Sequence, residues 1–265
     1  MSLNPFAAAR LLWNHWQAGT KIDALPAALQ PADRLEGHAV QGLLPEVGGR
    51  QVVGWKIAAT STVGQAHIGV GGPLAGRLLS GQVDADGATQ SLRGNGMRVA
   101  EPEFAFCFGV DLPPRHAAYT ADEVLAAVAT LHPALEVPDS RFADFVHAGE
   151  AQLLADNACA HRFVLGATAP DGWRALDLRT HRVSARVDAH GVCRLTREGD
   201  GSAVLGDPRR ALTWLVNELS SLGIGVAAGQ FVTTGTCMVP LEIGPGDRVV
   251  ADHGVLGGVS VQFID

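Results

Sequence analysis

The chain has 265 residues, of which 47% are hydrophobic and 18% charged, and its formal net charge is −7. The apolar fraction excludes intrinsic disorder, and the length fits one large domain with or without a small appendage. Its 20 Lys and Arg residues are scattered, which argues against a nucleic-acid-binding surface because phosphate binding needs clustered cations. No apolar stretch approaches the roughly 20 residues of a membrane span, so we expect no membrane association.

The N-terminus resembles no secretory signal. The opening Met1–Phe6 has neither a basic region nor a long apolar core, so we expect a cytoplasmic protein. Whether the first three residues are native stays open. The cysteines form no CxxC pair, and we expect them to be reduced, small apolar residues. They are Cys107, Cys159, Cys193 and Cys237.

Helical periodicity and end signals predict three helices. Thr120 and Glu123 have the spacing of a capping box before the second helix, and Pro208 stands at the first helical position of the third. The predicted helices cover Pro5–Ala18, Ala121–Leu131 and Asp207–Leu222.

Two regions have the alternating pattern of strands and hairpins: residues 174–205 and about the last forty residues. The sequence therefore predicts a β-rich α+β protein. We expect an N-terminal helical arm over residues 1–50, packed on a β-rich catalytic domain over residues 51–265.

The segment Val99–Phe108 is the most informative part of the chain. On a strand, Phe104 would share a buried face with the two later phenylalanines, and Glu101 and Glu103 would share the other face with small residues. Two adjacent carboxylates repel each other unless one is protonated or a cation lies between them. Small neighbours leave room for such a cation.

A third carboxylate follows at Glu136, where Leu135 and Val137 would face the core and turn the glutamate the other way. Three carboxylates without a His or Cys partner suit a hard divalent ion such as Mg²⁺ or Mn²⁺. A solvated strand face is the alternative that this spacing leaves open.

Lys56 stands alone in the apolar run Gly54–Ser61. Such a lysine is either paired in a simple salt bridge or functional. If the metal site exists, one ammonium would offset part of the negative charge of the carboxylates and of a bound 2-oxo acid, and could shuttle a proton. The later Thr-rich segment Val232–Cys237 could present hydroxyls to an anionic ligand.

Several blocks together resemble the 2-oxopent-4-enoate hydratase / 4-oxalocrotonate decarboxylase family, within the fumarylacetoacetate hydrolase superfamily. The Glu-x-Glu segment combined with Leu-Glu-x-x-Asp-Ser-Arg is the specific part of the resemblance. The four main blocks are Gly-Trp-Lys-Ile-Ala-Ala-Thr-Ser (54–61), Glu-Pro-Glu-Phe-Ala-Phe (101–106), Ala-Leu-Glu-Val-Pro-Asp-Ser-Arg (134–141) and Ala-Asp-Asn-Ala (155–158).

The resemblance implies a mixed β-sandwich or roll with an N-terminal arm. It implies that Glu101, Glu103 and Glu136 bind Mg²⁺ or Mn²⁺, and that Lys56 is catalytic beside a small 2-oxo acid substrate. It also implies a lyase of aromatic-ring-cleavage catabolism. We expect a homo-oligomer, with a complex with a pathway enzyme as an open alternative.

Two departures from the family pattern concern the substrate. Arg77 stands where the hydratases carry acidic residues, and Cys159 and Ala160 replace two hydroxyl residues. We expect these changes either to favour a bulkier, less polar tail or to let Arg77 select a second carboxylate. Residues assigned to substrate contact are Phe104, Arg77, Cys159 and Thr234.

The leading expectation is a hydratase that adds water to a 2-hydroxydienoate. A decarboxylase of the 4-oxalocrotonate type and an acylpyruvate C–C hydrolase are the nearest alternatives, although no His-Glu pair for the hydrolase can be placed. A non-catalytic binding paralogue is disfavoured because Lys56 and all three glutamates are present.

Overall fold

The structure is a computed structural model that describes residues 3–265, so two of the three residues whose origin is open, Met1 and Ser2, lie outside the described residues. The helices are α1 (Pro5–Ala18), α2 (Arg34–Gly42), α3 (Leu44–Gly48), α4 (Thr62–His67), α5 (Ala121–Ala127), α6 (Glu150–Ala155) and α7 (Pro208–Ser221). The strands are β1 (Val52–Ala58), β2 (Leu74–Leu79), β3 (Val83–Ala85), β4 (Ala88–Ser91), β5 (Val99–Phe108), β6 (Val128–Val137), β7 (Arg162–Leu165), β8 (Arg182–Ala189), β9 (Val192–Asp200), β10 (Phe231–Thr236), β11 (Leu241–Glu242), β12 (Asp247–Asp252) and β13 (Gly258–Ile264).

The strands form two mixed sheets. The larger sheet has the order β2-β1-β10-β5-β6-β7-β3, and β11 pairs with the N-terminal end of β5. The smaller sheet has the order β4-β13-β12-β8-β9. Most neighbours are antiparallel, and the parallel pairs are β1–β10, β3–β7 and β4–β13. The protein is therefore a sheet-rich α+β structure, as predicted.

The main hydrophobic core lies between the two sheets and under α7. Phe104, Phe106 and Phe108 of β5 are fully buried there with apolar residues of β8, β12 and β13. Alternation along β5 consequently turns its glutamates to the opposite face of the large sheet. The core fixes which side of the sheet can carry a functional site.

The N-terminal helices have a small core of their own. Ala8, Leu12 and Val40 pack there with Phe142 and Ala155, which belong to the later part of the chain. Gln41 of α2 donates hydrogen bonds to the carbonyl oxygens of Ala75 and Leu154, so α2 is also tied to β2 and α6 by polar contacts. No helix within residues 3–265 is both long enough and apolar enough to cross a membrane.

The predicted helices occur in the structure, with differences at their ends. Helix α7 spans Pro208–Ser221, and the predicted end residues Asp207 and Leu222 are its caps. Helix α1 has the predicted limits, and Thr120 and Glu123 form the complete capping box at α5. Helix α5 ends at Ala127, however, and residues 128–131 belong to β6. The predicted extension of the helix to Leu131 was wrong. The sequence of residues 128–131 is compatible with the period of a helix and with that of a strand, and hydrogen bonding to β5 makes this segment a strand.

Candidate active site

The three predicted carboxylates meet on one face of the large sheet. Glu101 of β5 is paired in register with Glu136 of β6, and Glu103 lies two residues further on the same side. One oxygen of each carboxylate lies within 4.8 Å of an oxygen of the other two. The fully buried Ala105 and Ala134 stand beside them, so small side chains leave the space that the sequence indicated.

Lys56 of β1 reaches the same cluster. Its Nζ lies 3.0 Å from Glu136 Oε1, an ion pair that does not meet hydrogen-bond geometry. The same Nζ donates a hydrogen bond of 3.0 Å to the carbonyl oxygen of Ala158. Strand β10 separates β1 from β5, and it places Gly235, which has no side chain, between the lysine and the glutamates.

Gly235 has two structural roles at this position. Its N–H donates a hydrogen bond of 2.9 Å to Glu103 Oε2, which fixes one carboxylate. Its φ of 95° is in the region that favours glycine, and a Cβ there would collide with the side chain of Thr60. The backbone donor therefore depends on glycine.

Burial and mutual repulsion shift the titration of the cluster. Burial, and then the charge of Glu136, raise the pKa of Glu101 from 4.5 to about 7. Burial likewise raises the pKa of Glu103 and of Glu136, and Lys56 opposes the shift in both. Burial disfavours the charge of Lys56, but Glu136 and Glu101 outweigh it and raise the pKa of the lysine above its ordinary value. The ammonium form is therefore favoured.

The carboxylates keep unused acceptor oxygens. Among the described residues, Glu103 Oε1 and Glu136 Oε2 have no hydrogen-bond donor, and Glu136 Oε1 is contacted by the ammonium of Lys56 alone, although both side chains are fully buried. Buried acceptors without donors are costly, and three carboxylates facing one ammonium leave negative charge uncompensated. A cation-binding role explains both features, because hard divalent ions prefer carboxylate oxygens.

A cavity of about 580 Å³ opens onto this cluster. Lys56, Glu101 and Cys159 line its wall, together with the hydroxyl residues Thr60 and Thr236. Its size lies within the range of small-molecule sites, about 300–1,000 Å³. The arrangement can hold a cation and present its free face to a small anionic ligand.

Three residues assigned to substrate contact from the sequence lie elsewhere. Phe104 faces the core and packs edge-on against the ring of His253, with 5.4 Å between ring centroids. The buried hydroxyl of Thr234 donates to the carbonyl oxygen of Phe104 at 3.2 Å. Arg77 follows Gly76, the partner of Lys56, and strand alternation turns it to the other face.

Arg77 is occupied on that other face. Its guanidinium hydrogen-bonds Gln41 and lies 4.9 Å from the ring centroid of Trp55. Burial lowers its pKa to about 10. Arg77, Phe104 and Thr234 are absent from the described residues that line the cavity, so the geometry of this cavity does not support their assignment to substrate contact, which stays a prediction.

A strained segment, which the sequence did not reveal, forms part of the cavity wall. Asn157, Ala158 and Cys159 have φ values of 59°, 51° and 60°. Residues other than glycine adopt this left-handed backbone conformation at a cost in free energy. Asp156, just before them, forms a buried ion pair with Arg141 and accepts a hydrogen bond of 2.6 Å from Ser140. No sequence signal marks an alanine in this conformation.

The sheet topology and the buried carboxylate cluster define a β-rich α+β protein with a candidate metal-dependent active site. No protein-family model matches the chain. It is 32% identical to a 2-keto-4-pentenoate hydratase of Paraburkholderia xenovorans, over 97% of this chain and 93% of that one. It is 33% identical to a 4-oxalocrotonate decarboxylase of Pseudomonas sp. strain CF600, over 83% of this chain and 80% of that one.

Among solved structures, the chain is similar to 4-oxalocrotonate decarboxylase from Pseudomonas putida G7, complexed with magnesium and adipate. The TM-score is 0.85 at 27% identity, and the match covers 98% of this chain and 97% of that chain. The chain thus belongs to the family of 2-keto-4-pentenoate hydratases and 4-oxalocrotonate decarboxylases. The resemblance inferred from the sequence blocks is confirmed.

Proposed function

We propose that this chain is a divalent-metal-dependent lyase that acts on a small 2-oxo acid or 2-hydroxydienoate. Glu101, Glu103 and Glu136 would hold Mg²⁺ or Mn²⁺. The observation that carries the proposal is the convergence of these carboxylates, with their unused buried oxygens, on a cavity that also contains Lys56. Its class of chemistry is that of the curated relatives, which are named hydratases and decarboxylases.

The bound ion would supply a Lewis acid that withdraws electrons from the 2-oxo group of the substrate. The protein's part is to fix the ligands. The N–H of Gly235 orients Glu103, and the register of β5 and β6 places Glu101 opposite Glu136. Glu103 and Glu136 are fully buried, and the low dielectric around them strengthens the electrostatic effect of the charged groups.

Lys56 would act as an acid and a charge partner. Its raised pKa favours the ammonium form at neutral pH, and Glu136 and the Ala158 carbonyl hold its Nζ at the cavity wall. An ammonium at this place can donate a hydrogen bond to an anionic substrate and supply a proton during the reaction. Cys159 is the remaining residue from the sequence that we propose to contact substrate, since it lines the same cavity.

Water addition is the leading reaction, because several relatives that are at least 30% identical are named 2-keto-4-pentenoate hydratase. Decarboxylation is the second candidate, supported by the similarity to the decarboxylase structure. The deciding experiment offers the purified protein 2-hydroxypentadienoate and 4-oxalocrotonate with MgCl₂ or with EDTA. Loss of dienol absorbance and release of CO₂ are followed separately.

We expect magnesium-dependent loss of the dienol without CO₂ release. Release of CO₂ from 4-oxalocrotonate would assign the decarboxylase. An acylpyruvate is offered as a third compound in the same buffers, and its cleavage into two acids would assign the hydrolase. Glu136→Gln should abolish turnover, whereas Glu198→Gln, at a 70% exposed side chain, should not. Full activity in EDTA, or in Glu136→Gln, would contradict the proposal.

Further proposals concern architecture and assembly. We propose that the two sheets form the sandwich or roll of the fumarylacetoacetate hydrolase type, that residues 1–50 act as an arm on a catalytic domain of residues 51–265, and that the protein is a cytoplasmic homo-oligomer. The separate small core of the N-terminal helices supports the arm. Light scattering on the purified protein tests the oligomer, and a monomer would contradict it.

A further inference from the structure

The outer wall of the cavity is apolar. Beyond the carboxylates it is lined by Val63, Ile68, Met97, Phe145, Met238 and Val239. Val63 and Val239 are 78% and 68% exposed, which places them at the mouth, whereas Glu103 and Glu136 are fully buried. A ligand anchored at the carboxylate cluster would therefore extend along an apolar surface toward solvent.

Few cations are available along this wall. Among the described residues that line the cavity, Lys56 and His67 are the side chains that can carry a positive charge. Lys56 is engaged by Glu136 and by the carbonyl oxygen of Ala158. His67 is exposed on α4 and faces the edge of the Phe145 ring, with 6.3 Å between centroids. Arg77, the other candidate, points into the opposite face of the sheet.

This distribution disfavours a second carboxylate on the substrate. A second carboxylate that packed against the apolar outer wall would lose its hydration, and the described polar side chains that it could reach are the exposed His67 and the hydroxyls of Thr60, Ser61 and Thr236, none of which is a permanent cation. The volume also exceeds what a five-carbon acid needs, because cavities of about 580 Å³ fall in the range that encloses drug-sized ligands. A small unbranched tail would leave part of the apolar cavity wall exposed to water.

We propose that the substrate is a monocarboxylic 2-oxo acid or 2-hydroxydienoate with a bulky apolar tail, either branched alkyl or aryl, that packs against Met97, Phe145 and Val239. This inference rests on the proposed function and narrows it from a reaction class to a substrate class. The apolar wall selects for the tail by burying it, and the scarcity of cations selects against an enedioate.

A binding measurement tests the inference without turnover. The probes are 2-oxoadipate and 6-methyl-2-oxoheptanoate, which have nearly the same shape and differ in a terminal carboxylate or isopropyl group. Titration calorimetry of the magnesium-loaded protein should show at least tenfold tighter binding of the branched acid, since each buried methylene is worth about fourfold in affinity. Equal affinities, or tighter binding of 2-oxoadipate, would overturn the inference.

A variant at the mouth provides the second test. Val239→Arg adds a cation to the exposed rim and should reduce the preference for the branched acid at least fivefold by tightening 2-oxoadipate. The matched control is Val192→Arg, a 70% exposed valine of β9 that is not among the cavity residues, and it should keep the wild-type preference. An unchanged preference in Val239→Arg would show that the tail does not reach this wall.

Turnover separates the two proposals. The panel consists of 2-hydroxydienoates that carry hydrogen, isobutyl, phenyl or carboxylate at the end of the chain. Magnesium-dependent turnover with the highest kcat/KM for isobutyl or phenyl supports both proposals. Magnesium-dependent turnover that is best for the unsubstituted or carboxylate compound keeps the proposed function and overturns this inference. No turnover of any member would overturn both.

Discussion

Replacing Glu101 by glutamine should have opposite effects on stability with and without metal. Burial and Glu136 raise the pKa of Glu101 from 4.5 to about 7. A carboxyl group with a raised pKa contributes stability that is complete below pH 4.5 and is lost as the pH rises through about 7. At pH 8 its ionisation costs the metal-free protein about 2–3 kcal/mol, at 1.36 kcal/mol per pH unit and with allowance for solvent in the cavity.

Glu101→Gln removes this cost, so in EDTA at pH 8 the variant should melt about 4–10 °C above the wild type. At pH 4.5 the two melting temperatures should differ little, because Glu101 is then protonated in the folded protein and about half protonated in the unfolded chain. Magnesium at 100 times its dissociation constant stabilises the wild type by about 2.7 kcal/mol. Glu101→Gln has lost one proposed metal ligand, so magnesium should stabilise it less than the wild type. Magnesium should therefore narrow or reverse the difference between the two melting temperatures at pH 8.

Calorimetric melting in EDTA and in MgCl₂ at both pH values measures all of these effects. Glu198→Gln is the control, because the side chain of that glutamate is 70% exposed. Its Oε2 forms a surface ion pair of 3.7 Å with a guanidinium nitrogen of Arg182. It should show no inversion with magnesium. A Glu101→Gln protein that is less stable than wild type in EDTA at pH 8 would refute the reasoning, because Glu101 would then be a needed partner of Lys56.

Three further predictions follow from individual contacts. Lys56→Met should lower kcat at least tenfold, because loss of a proton-transfer group typically costs 10²–10⁴-fold. The same variant should bind magnesium more tightly in a calorimetric titration, because it lacks the positive charge beside Glu136. Weaker magnesium binding would contradict this repulsion between the ammonium and the metal ion. Gly76→Ala should lower the melting temperature and kcat, since its Cβ would collide with the Asn157 carbonyl and approach Lys56 Cγ to 3.0 Å, whereas Gly71→Ala, with open space around it, should change neither. Relative to the wild type, His161→Gln should shift the change in the free energy of unfolding between pH 7 and pH 5 by about 1–2 kcal/mol in favour of pH 5, because burial and nearby cations lower the pKa of His161 to about 3 and only the unfolded chain takes up the proton. Urea titrations of both proteins at both pH values measure this shift, and the same pH dependence in variant and wild type would show that His161 does not contribute to it.

Local patterns were sufficient to predict the carboxylate cluster. Strand alternation placed the phenylalanines of β5 in the core, and so it turned Glu101 and Glu103 to the other face. The same reasoning applied to Glu136 between two core residues of β6. The sequence could not show that Glu101 and Glu136 are partners in register, because pairing across a sheet depends on contacts distant in the chain.

Three of the four residues assigned to substrate contact from the sequence do not line the cavity, for a related reason. Proximity in sequence to a functional residue does not give the face of a strand. Arg77 follows Gly76 directly, yet the two point to opposite sides, so the neighbour of the Lys56 partner is buried against Trp55. Thr234 and Gly235 illustrate the same point, since the cavity is lined by the glycine and not by the threonine.

The Asp-Ser-Arg end of the block 134–141 and the block 155–158 contain no proposed metal ligand, and they have a structural explanation. Arg141 forms a buried ion pair with Asp156, and its guanidinium also donates to the carbonyl oxygens of Asp139 and Ala160. These contacts hold both ends of the strained segment 157–159. Removing one partner of such a buried pair typically costs 3–5 kcal/mol, about the same as the cost of holding a few residues in sparsely populated backbone regions at about 1–3 kcal/mol each.

That strain has a consequence for Lys56. The left-handed backbone at Ala158 is the conformation in which its carbonyl oxygen accepts from Lys56 Nζ, while the side chain of Asn157 binds both backbone groups of Arg77 in β2. One short segment thus ties the lysine to the sheet from which it projects. The carbonyl oxygen of Ala158 holds the Lys56 ammonium beside Glu136. The ion pair between Arg141 and Asp156 fixes the backbone that carries this carbonyl, so the position of the lysine depends on two residues that do not line the cavity.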